Sequence, residues 1–281
     1  MNARYYASHA GDFFVLPEAV IKIKQLIDDE TTSMHDVAEV INYDPTIMSQ
    51  VLKISNSALY NFPHTITTVT RAIQVIGTRS VYDLVLAYGV TSAFKNMKPD
   101  VVDLEKFWEQ SASCALLCKY LAEELGLKEP EKLFVSGFLH NLGELVMVQL
   151  NPDIAAKCAS ISNINTPLIL QKKYLGFPYT DITCELLKFW GIPTDISQIV
   201  SKTHVSEHDT NNKEEKVIQL AYLLSLCNVN SELYSRHADV TEDMYADLGI
   251  DLECVNNALD FSNLKLMSVL ALFGSSSFEV L

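Results

Sequence analysis

Residues Phe134 to Leu150 read FVSGFLHNLGELVMVQL, and their pattern decides the fold. Apolar side chains at Leu133, Phe134, Val135, Phe138, Leu139, Leu142, Leu145, Val146, Met147 and Val148 cover too wide an arc for a surface helix, which shows one apolar stripe and one solvated face. The pattern predicts a single central helix, buried on nearly every side. One polar line interrupts it: Ser136, His140 and Glu144 recur at four-residue spacing and so share a face. Gly137 and Asn141 flank that line, and a mid-helix glycine costs about 1 kcal/mol against alanine unless close packing requires it. A buried imidazole, amide and carboxyl must find hydrogen-bond partners. The stretch therefore carries either an active site or a satisfied polar core.

The sequence on both sides is helical as well. Leu16 to Glu30 has apolar residues at 16, 20, 23, 26 and 27, with Pro17 suited to a first turn. Ser33 is placed to cap a helix over 34–43, and Asp44-Pro45 opens the next one, through Ile54. The segment ISNSALYNFPHTITT (54–68) breaks the period and reads as a connection, with Asn56-Ser57 as a turn element bonding backbone. Helical spacing resumes at Val69, Gly77 ends that helix, and a further apolar one runs to Phe94. KNMKPD (95–100) is the expected boundary between an N-terminal bundle at 1–100 and a second helical region at 101–281.

Beyond it, Asp103 caps a helix that Gly126 stops, with Leu104, Phe107, Trp108, Ser111, Ala115, Cys118, Ala122 and Leu125 as its core stripe. Two amphipathic stretches lie between 153 and 175, and TDITCELLKFW (180–190) is a helix ended by Gly191 and Pro193. Shorter helices are expected near 196–202, 214–226, 242–247 and 252–273, followed by a frayed GSSSFEVL tail. Alternating strand patterns are missing, so the fold class is all-α.

Composition narrows the function. With 35 acidic against 21 basic residues and a net charge of −14, a nucleic-acid partner is not expected, since phosphate-backbone affinity needs clustered Lys and Arg. The opening MNARYYASHAGDFF lacks the basic start and apolar run of a signal peptide, and no uncharged apolar run of about 18 residues occurs. A cytoplasmic protein without membrane contact is the expectation. The six cysteines form no CxxC pair and sit in apolar helical segments, so free buried thiols are expected. His35, His64, His208 and His237 lie in polar surroundings suited to solvent, and nucleotide-loop, nucleophile-elbow and HExxH motifs do not occur.

Three stretches taken together resemble the HDOD family, the HD-related output domains of bacterial signalling proteins. They are DPTIMSQVLKISNSALYNFPHTITTVTRAIQVIGTRSV (44–81), FWEQSASCA (107–115) with SGFLHNLGELVM (136–147), and YLGFPYTDITCELLKFWGIP (174–193). The resemblance covers roughly Leu16 to Leu226. It implies an N-terminal helical bundle packed on an HD-like helical half related to metal-dependent phosphohydrolases. Residue by residue, His140 matches the first letter of the HD pair, but Asn141 stands where the aspartate should be. Gln110 stands at the place of an upstream histidine, Tyr179 at the histidine after LGF, Thr203-His204 at a His-His pair, and Tyr222 at a distal aspartate.

Hard divalent cations depend on anionic oxygen ligands. The remaining imidazoles, His140 and His204, are thus expected to hold no metal, with Glu144 the one carboxylate that could rebuild a site. Gln110, Asn141, Tyr179 and Tyr222 are expected to fill the former metal cavity and to bond His140 and His204. No cofactor is expected. The resemblance implies a non-catalytic signalling module that binds a partner protein or a small ligand. The rival is a residual metal-dependent phosphohydrolase on cyclic dinucleotides or nucleotides. A third reading, binding of a nucleotide signal without hydrolysis, would call on Arg71, Arg79, Tyr60 and Trp108, which surface charge and core packing explain as well.

Overall fold

Helices in this chain start where a short polar side chain can take up the first free N–H groups. Ser33 accepts from Asp36 N and receives the reciprocal bond of a capping box, Asp44 accepts from the N–H groups of Thr46 and Ile47 ahead of Pro45, and Asp103 accepts from those of Glu105 and Lys106. The computed structural model describes residues 1–29, 31–97, 100–204, 212–235 and 240–273. His208, His237 and the 274–281 tail lie outside the described residues.

The helices are α1 (Ala3–Ala10), α2 (Glu18–Ile27), α3 (Met34–Tyr43), α4 (Pro45–Ser55), α5 (Val69–Ile76) and α6 (Thr78–Phe94). Then follow α7 (Leu104–Glu124), α8 (Pro130–Leu139), α9 (Leu142–Leu150), α10 (Pro152–Ala159) and α11 (Pro167–Leu175). Last come α12 (Tyr179–Phe189), α13 (Thr194–Ser201), α14 (Lys213–Val229), α15 (Glu242–Ala246) and α16 (Leu252–Phe273). No strand occurs among the described residues, and the fold is all-α.

Two compact units are present. The smaller comprises Val15–Asn96 and the chain from Lys265 onward; the larger comprises Met1–Phe14 and Met97–Leu264. This differs from a linear division at residue 100. Helix α1 packs on α9 and α12, and the indole of Trp190 donates to the Phe14 carbonyl at 3.2 Å, which fixes the first fourteen residues in the larger unit. In the smaller unit, α2 lies against α3 and α6, and α4 against α5 and α6. There Asn56 spans the connection after α4: its Oδ1 accepts from Ile66 N and its Nδ2 donates to Ile66 O, both at 2.7 Å. Sequence had marked this residue as a turn element, and the side chain does the work of a short backbone ladder.

The core of the larger unit is α7 packed on α8 and α14. Gly137 permits that approach, since a Cβ there would lie 3.0 Å from Ala115 Cα, the Cys114 carbonyl oxygen and Cys118 Sγ. Trp108, 2% exposed, stacks on Phe138 at 5.6 Å, so it belongs to the core. Two buried lysines are each held by two carboxylates: Lys119 by Glu123 and Glu131, and Lys132 by Glu129 and Glu214. Removing one partner of such a pair is costly because the other charge stays desolvated. All six cysteines are free thiols, five of them buried and Cys254 half-buried. His35 and His64 are exposed. One described segment, Pro130–Leu150, is apolar and long enough to cross a membrane, but 78% of its most apolar window is buried inside the protein.

The expected single helix over 134–150 is in fact two, α8 and α9, broken at His140–Asn141. Asn141 has φ −111° and ψ 17°, outside helical geometry. The physical cause is the side chain of Thr183 from α12, which enters the ladder. Its hydroxyl accepts from Gly143 N at 2.9 Å and lies 3.1 Å from the His140 carbonyl, while Glu144 N turns to Asn141 O at 2.9 Å. A side chain inserted into the i→i−4 ladder is a recognised cause of a sharp helix kink.

Candidate functional site

At the break and just beyond it, Asn141 and Glu144 line a cavity of about 310 Å³ in the larger unit. Each wall has a reason to be where it is. Gln110 comes from α7, two residues after Trp108 anchors that helix in the core; Tyr179 is the first residue of α12; Tyr222 comes from the middle of α14. Pro178 cannot cap α12 with a side chain, and Gln171 of α11 does so instead, its Oε1 accepting from Tyr179 N at 2.8 Å. That bond places Gln171 on the cavity wall as well.

Of the positions singled out in sequence, Gln110, Asn141, Glu144, Tyr179 and Tyr222 line the cavity. His140 and His204 do not, but both rings meet Tyr222 edge-on, at 5.5 and 4.6 Å between centroids. Thr203 is buried and bonds locally, its hydroxyl donating to Val200 O at 2.8 Å. The expected filling of the cavity by a mutually hydrogen-bonded cluster is therefore corrected. Both imidazoles pack edge-on against Tyr222, and the His140 Nε2 and the Tyr179 hydroxyl lack the hydrogen bonds such a cluster would supply. Cys158, Gln171 and Asn230 also reach the cavity, and sequence gave no sign of them because they lie outside the quoted motifs.

Polar satisfaction is uneven. The Gly137 carbonyl accepts from His140 at 2.7 Å, so Nδ1 carries the proton. Nε2 of this 1%-exposed histidine has no hydrogen-bond partner of ordinary geometry. Burial opposes the imidazolium, but the neighbouring Cys114 thiol, the Gly137 carbonyl and Glu144 favour it, and the balance is upward. His204 goes the other way: desolvation, then the charges of His140 and Lys172, push it down to about 3. Desolvation raises Glu144 to about 7, against the Asn141 amide, which donates to its Oε2 at 2.5 Å, and against His140. Burial raises both phenols further, Tyr179 and Tyr222.

Thr183, which no motif marked, holds the geometry of this site. Thr183→Val keeps shape but leaves Gly143 N and the His140 carbonyl without their partner in a buried setting. The expected cost is on the order of 2 kcal/mol in urea unfolding, from desolvated groups left unpaired. A loss below about 0.5 kcal/mol would mean that the break persists without the hydroxyl.

With this geometry in hand, the comparisons are specific. The model of the HDOD domain matches residues 14–206. The chain belongs to the HDOD family. An uncharacterised Treponema pallidum protein is 21% identical over 220 residues, which is 77% of this chain but 42% of that protein, so the chain spans less than half its relative's length. Among solved structures, an HDOD domain protein of unknown function from Geobacter sulfurreducens has a TM-score of 0.73 at 18% identity, covering 96% of this chain and 98% of its own. A provisionally assigned phosphohydrolase from Shewanella amazonensis SB2B gives 0.70 at 22% identity, covering 93% and 94%. A provisionally assigned signal transduction protein from Marinobacter aquaeolei VT8 gives 0.68 at 22%, covering 94% of this chain and 59% of its own. Similarity at these identities establishes the shared helical fold.

The donors present in this HDOD protein do not fit a catalytic divalent ion. Among the described residues, no three His, Cys, Asp or Glu side chains are grouped so as to hold a metal. Around the cavity, two carboxamides and two phenols stand at positions the HD resemblance gives to anionic or imidazole ligands.

Proposed function

We propose that this HDOD protein is a non-catalytic regulatory module that works by binding, through a partner protein or a small ligand. The observation that carries the reading is the Asn141–Glu144 pair. At the position of the HD aspartate stands a neutral amide, and that amide engages the one nearby carboxylate through a 2.5 Å hydrogen bond. A carboxyl occupied in this way is a poor ligand for a hard cation. The provisional signalling assignment of the Marinobacter relative accords with the reading.

The test is elemental analysis of protein purified without chelator, joined to hydrolysis assays on nucleotides and cyclic dinucleotides with added Mn, Mg or Fe. The expected outcome is substoichiometric metal and no turnover. A stoichiometric transition metal, or metal-dependent turnover that disappears in His140→Ala, would overturn the proposal in favour of a residual phosphohydrolase.

A further inference from the structure

We propose that the cavity walled by α7, α9, α12 and α14 binds a small uncharged heterocycle of the nucleobase kind, held by carboxamide and phenol groups. This rests on the binding-module reading above and names the ligand class for it.

The first support is a set of polar groups that the protein leaves unused at one place. Tyr179 is 2% exposed and lines the cavity, yet its hydroxyl has no hydrogen-bond partner of ordinary geometry; the Cys158 thiol beside it is a weak one. Gln110 and Tyr222 line the same space, and among the described residues neither side chain makes a hydrogen bond to the protein. Gln171 spends its oxygen on Tyr179 N, which leaves its NH₂. An unpaired buried hydroxyl is costly, so its neighbours in the native state are water or a ligand. At about 30 Å³ per molecule, the cavity has room for about ten waters, far more than one hydroxyl requires. Its volume also reaches the low end of small-molecule pockets, about 300 Å³.

Charge then selects the class. Lys106 is the one cation on the wall among the described residues, and it is paired with Glu232 at 2.9 Å. The carboxylate of Asp103 is already engaged in capping α7, and Glu144 adds a second acid. A phosphate entering here would be desolvated opposite acidic groups with no free cation to receive it, which is strongly unfavourable. A planar heterocycle meets no such barrier. Carboxamides pair bidentately with adjacent donor and acceptor atoms on a base edge, carboxyls accept from exocyclic amines, and aromatic rings supply stacking faces. Gln110, Gln171, Asn141, Glu144, Tyr179 and Tyr222 provide this mixture.

The experiment is calorimetric titration of the full chain, without added metal, using adenine, guanine, cytosine and uracil, their nucleosides, the 5′-monophosphates and a cyclic dinucleotide. At least one base or nucleoside is expected to bind about tenfold or more tightly than its phosphorylated form. Tyr179→Phe and Gln110→Leu should each weaken that binding by about fivefold, the value of one hydrogen bond, with unchanged melting curves. Gln110 is half-buried and its side chain makes no hydrogen bond to the protein among the described residues, so its variant serves even where Tyr179→Phe disturbs packing. Three results would overturn the proposal: no base or nucleoside binding at about 1 mM, a phosphorylated compound binding as well or better, or binding that survives in both variants. Because the uncharged probes contain no phosphate to hydrolyse, failure here leaves the metal test standing, and failure there leaves this one.

Discussion

Gly143→Ala is expected to lower the unfolding free energy by about 3 kcal/mol. A Cβ at residue 143 would sit 2.1 Å from the Tyr179 carbonyl oxygen, 2.9 Å from its carbon and 3.0 Å from Ile182 Cβ. The two nearest atoms are backbone, so no side chain can swing away, and α9 must separate from α12. Overpacking of this kind costs about 1–3 kcal/mol and sometimes more. Separation also stretches the Gly143 N–H bond to Thr183, worth about 1 kcal/mol. Alanine's better helix propensity returns about 1 kcal/mol.

Gly137→Ala is the internal comparison. Its Cβ meets Ala115, Cys114 and Cys118 at 3.0 Å, contacts that a shift of a few tenths of an ångström relieves, so a cost of about 1 kcal/mol is expected. Urea unfolding of both variants checks the order. If Gly143→Ala proved the milder, α9 and α12 would not be in the tight register that positions Tyr179 at the cavity.

Glu144→Gln is expected to stabilise the protein, and only at higher pH. Desolvation raises the carboxyl from 4.5 to about 7 in the folded state. The sign follows directly. Below about 4.5 both states hold the proton; between about 4.5 and about 7 the folded chain keeps a proton that the unfolded chain has released, so stability falls as pH rises through this window. Above it, the folded protein carries a poorly solvated charge. The shift corresponds to about 3 kcal/mol. A neutral glutamine keeps an oxygen for the Asn141 amide and escapes the charge. The variant should therefore lie within about 1 kcal/mol of wild type near pH 5 and exceed it by about 3 kcal/mol near pH 8.

The other titratable groups coupled to Glu144 are His140, Tyr179, Tyr222 and Cys158. Burial holds the phenols and the Cys158 thiol neutral throughout this range, which leaves Glu144 and His140, the latter coupled in turn to the Cys114 thiol, as the titrating groups. Chemical denaturation at the two pH values decides the matter. Equal stability gains at both would show that the carboxyl is solvated and its pKa ordinary.

Both expectations concern residues whose meaning was only partly visible in the sequence. The helical period, the caps at Ser33, Asp44 and Asp103, the stop at Gly77 and the core stripe of α7 were legible because they depend on neighbours within one or two turns. The membership of the HDOD family was legible too, because its three motifs are carried by local strings of residues. The resemblance also set Asn141 at the place of the HD aspartate, and the proposed function rests on that reading.

What sequence could not supply was everything decided by a partner distant along the chain. Periodicity made 134–150 one helix; a threonine forty-three residues after His140 breaks it, and no local signal at His140 encodes that hydroxyl. The same distance hid Gln171 and Asn230 from the cavity, and it placed Met1–Phe14 with the larger unit through Trp190. Sequence also proposed that Gln110, Asn141, Tyr179 and Tyr222 would close on His140 and His204. Tertiary packing instead set both imidazoles edge-on to Tyr222 and left a cavity lined by Tyr222 and not by the histidines. Residue identity thus determined the fold and carries the proposed loss of anionic ligands, since backbone propensity and ligand charge are properties of the residues themselves. Whether that loss leaves a filled core or an open pocket depends on where α9, α12 and α14 come to rest, and only the folded chain decides it.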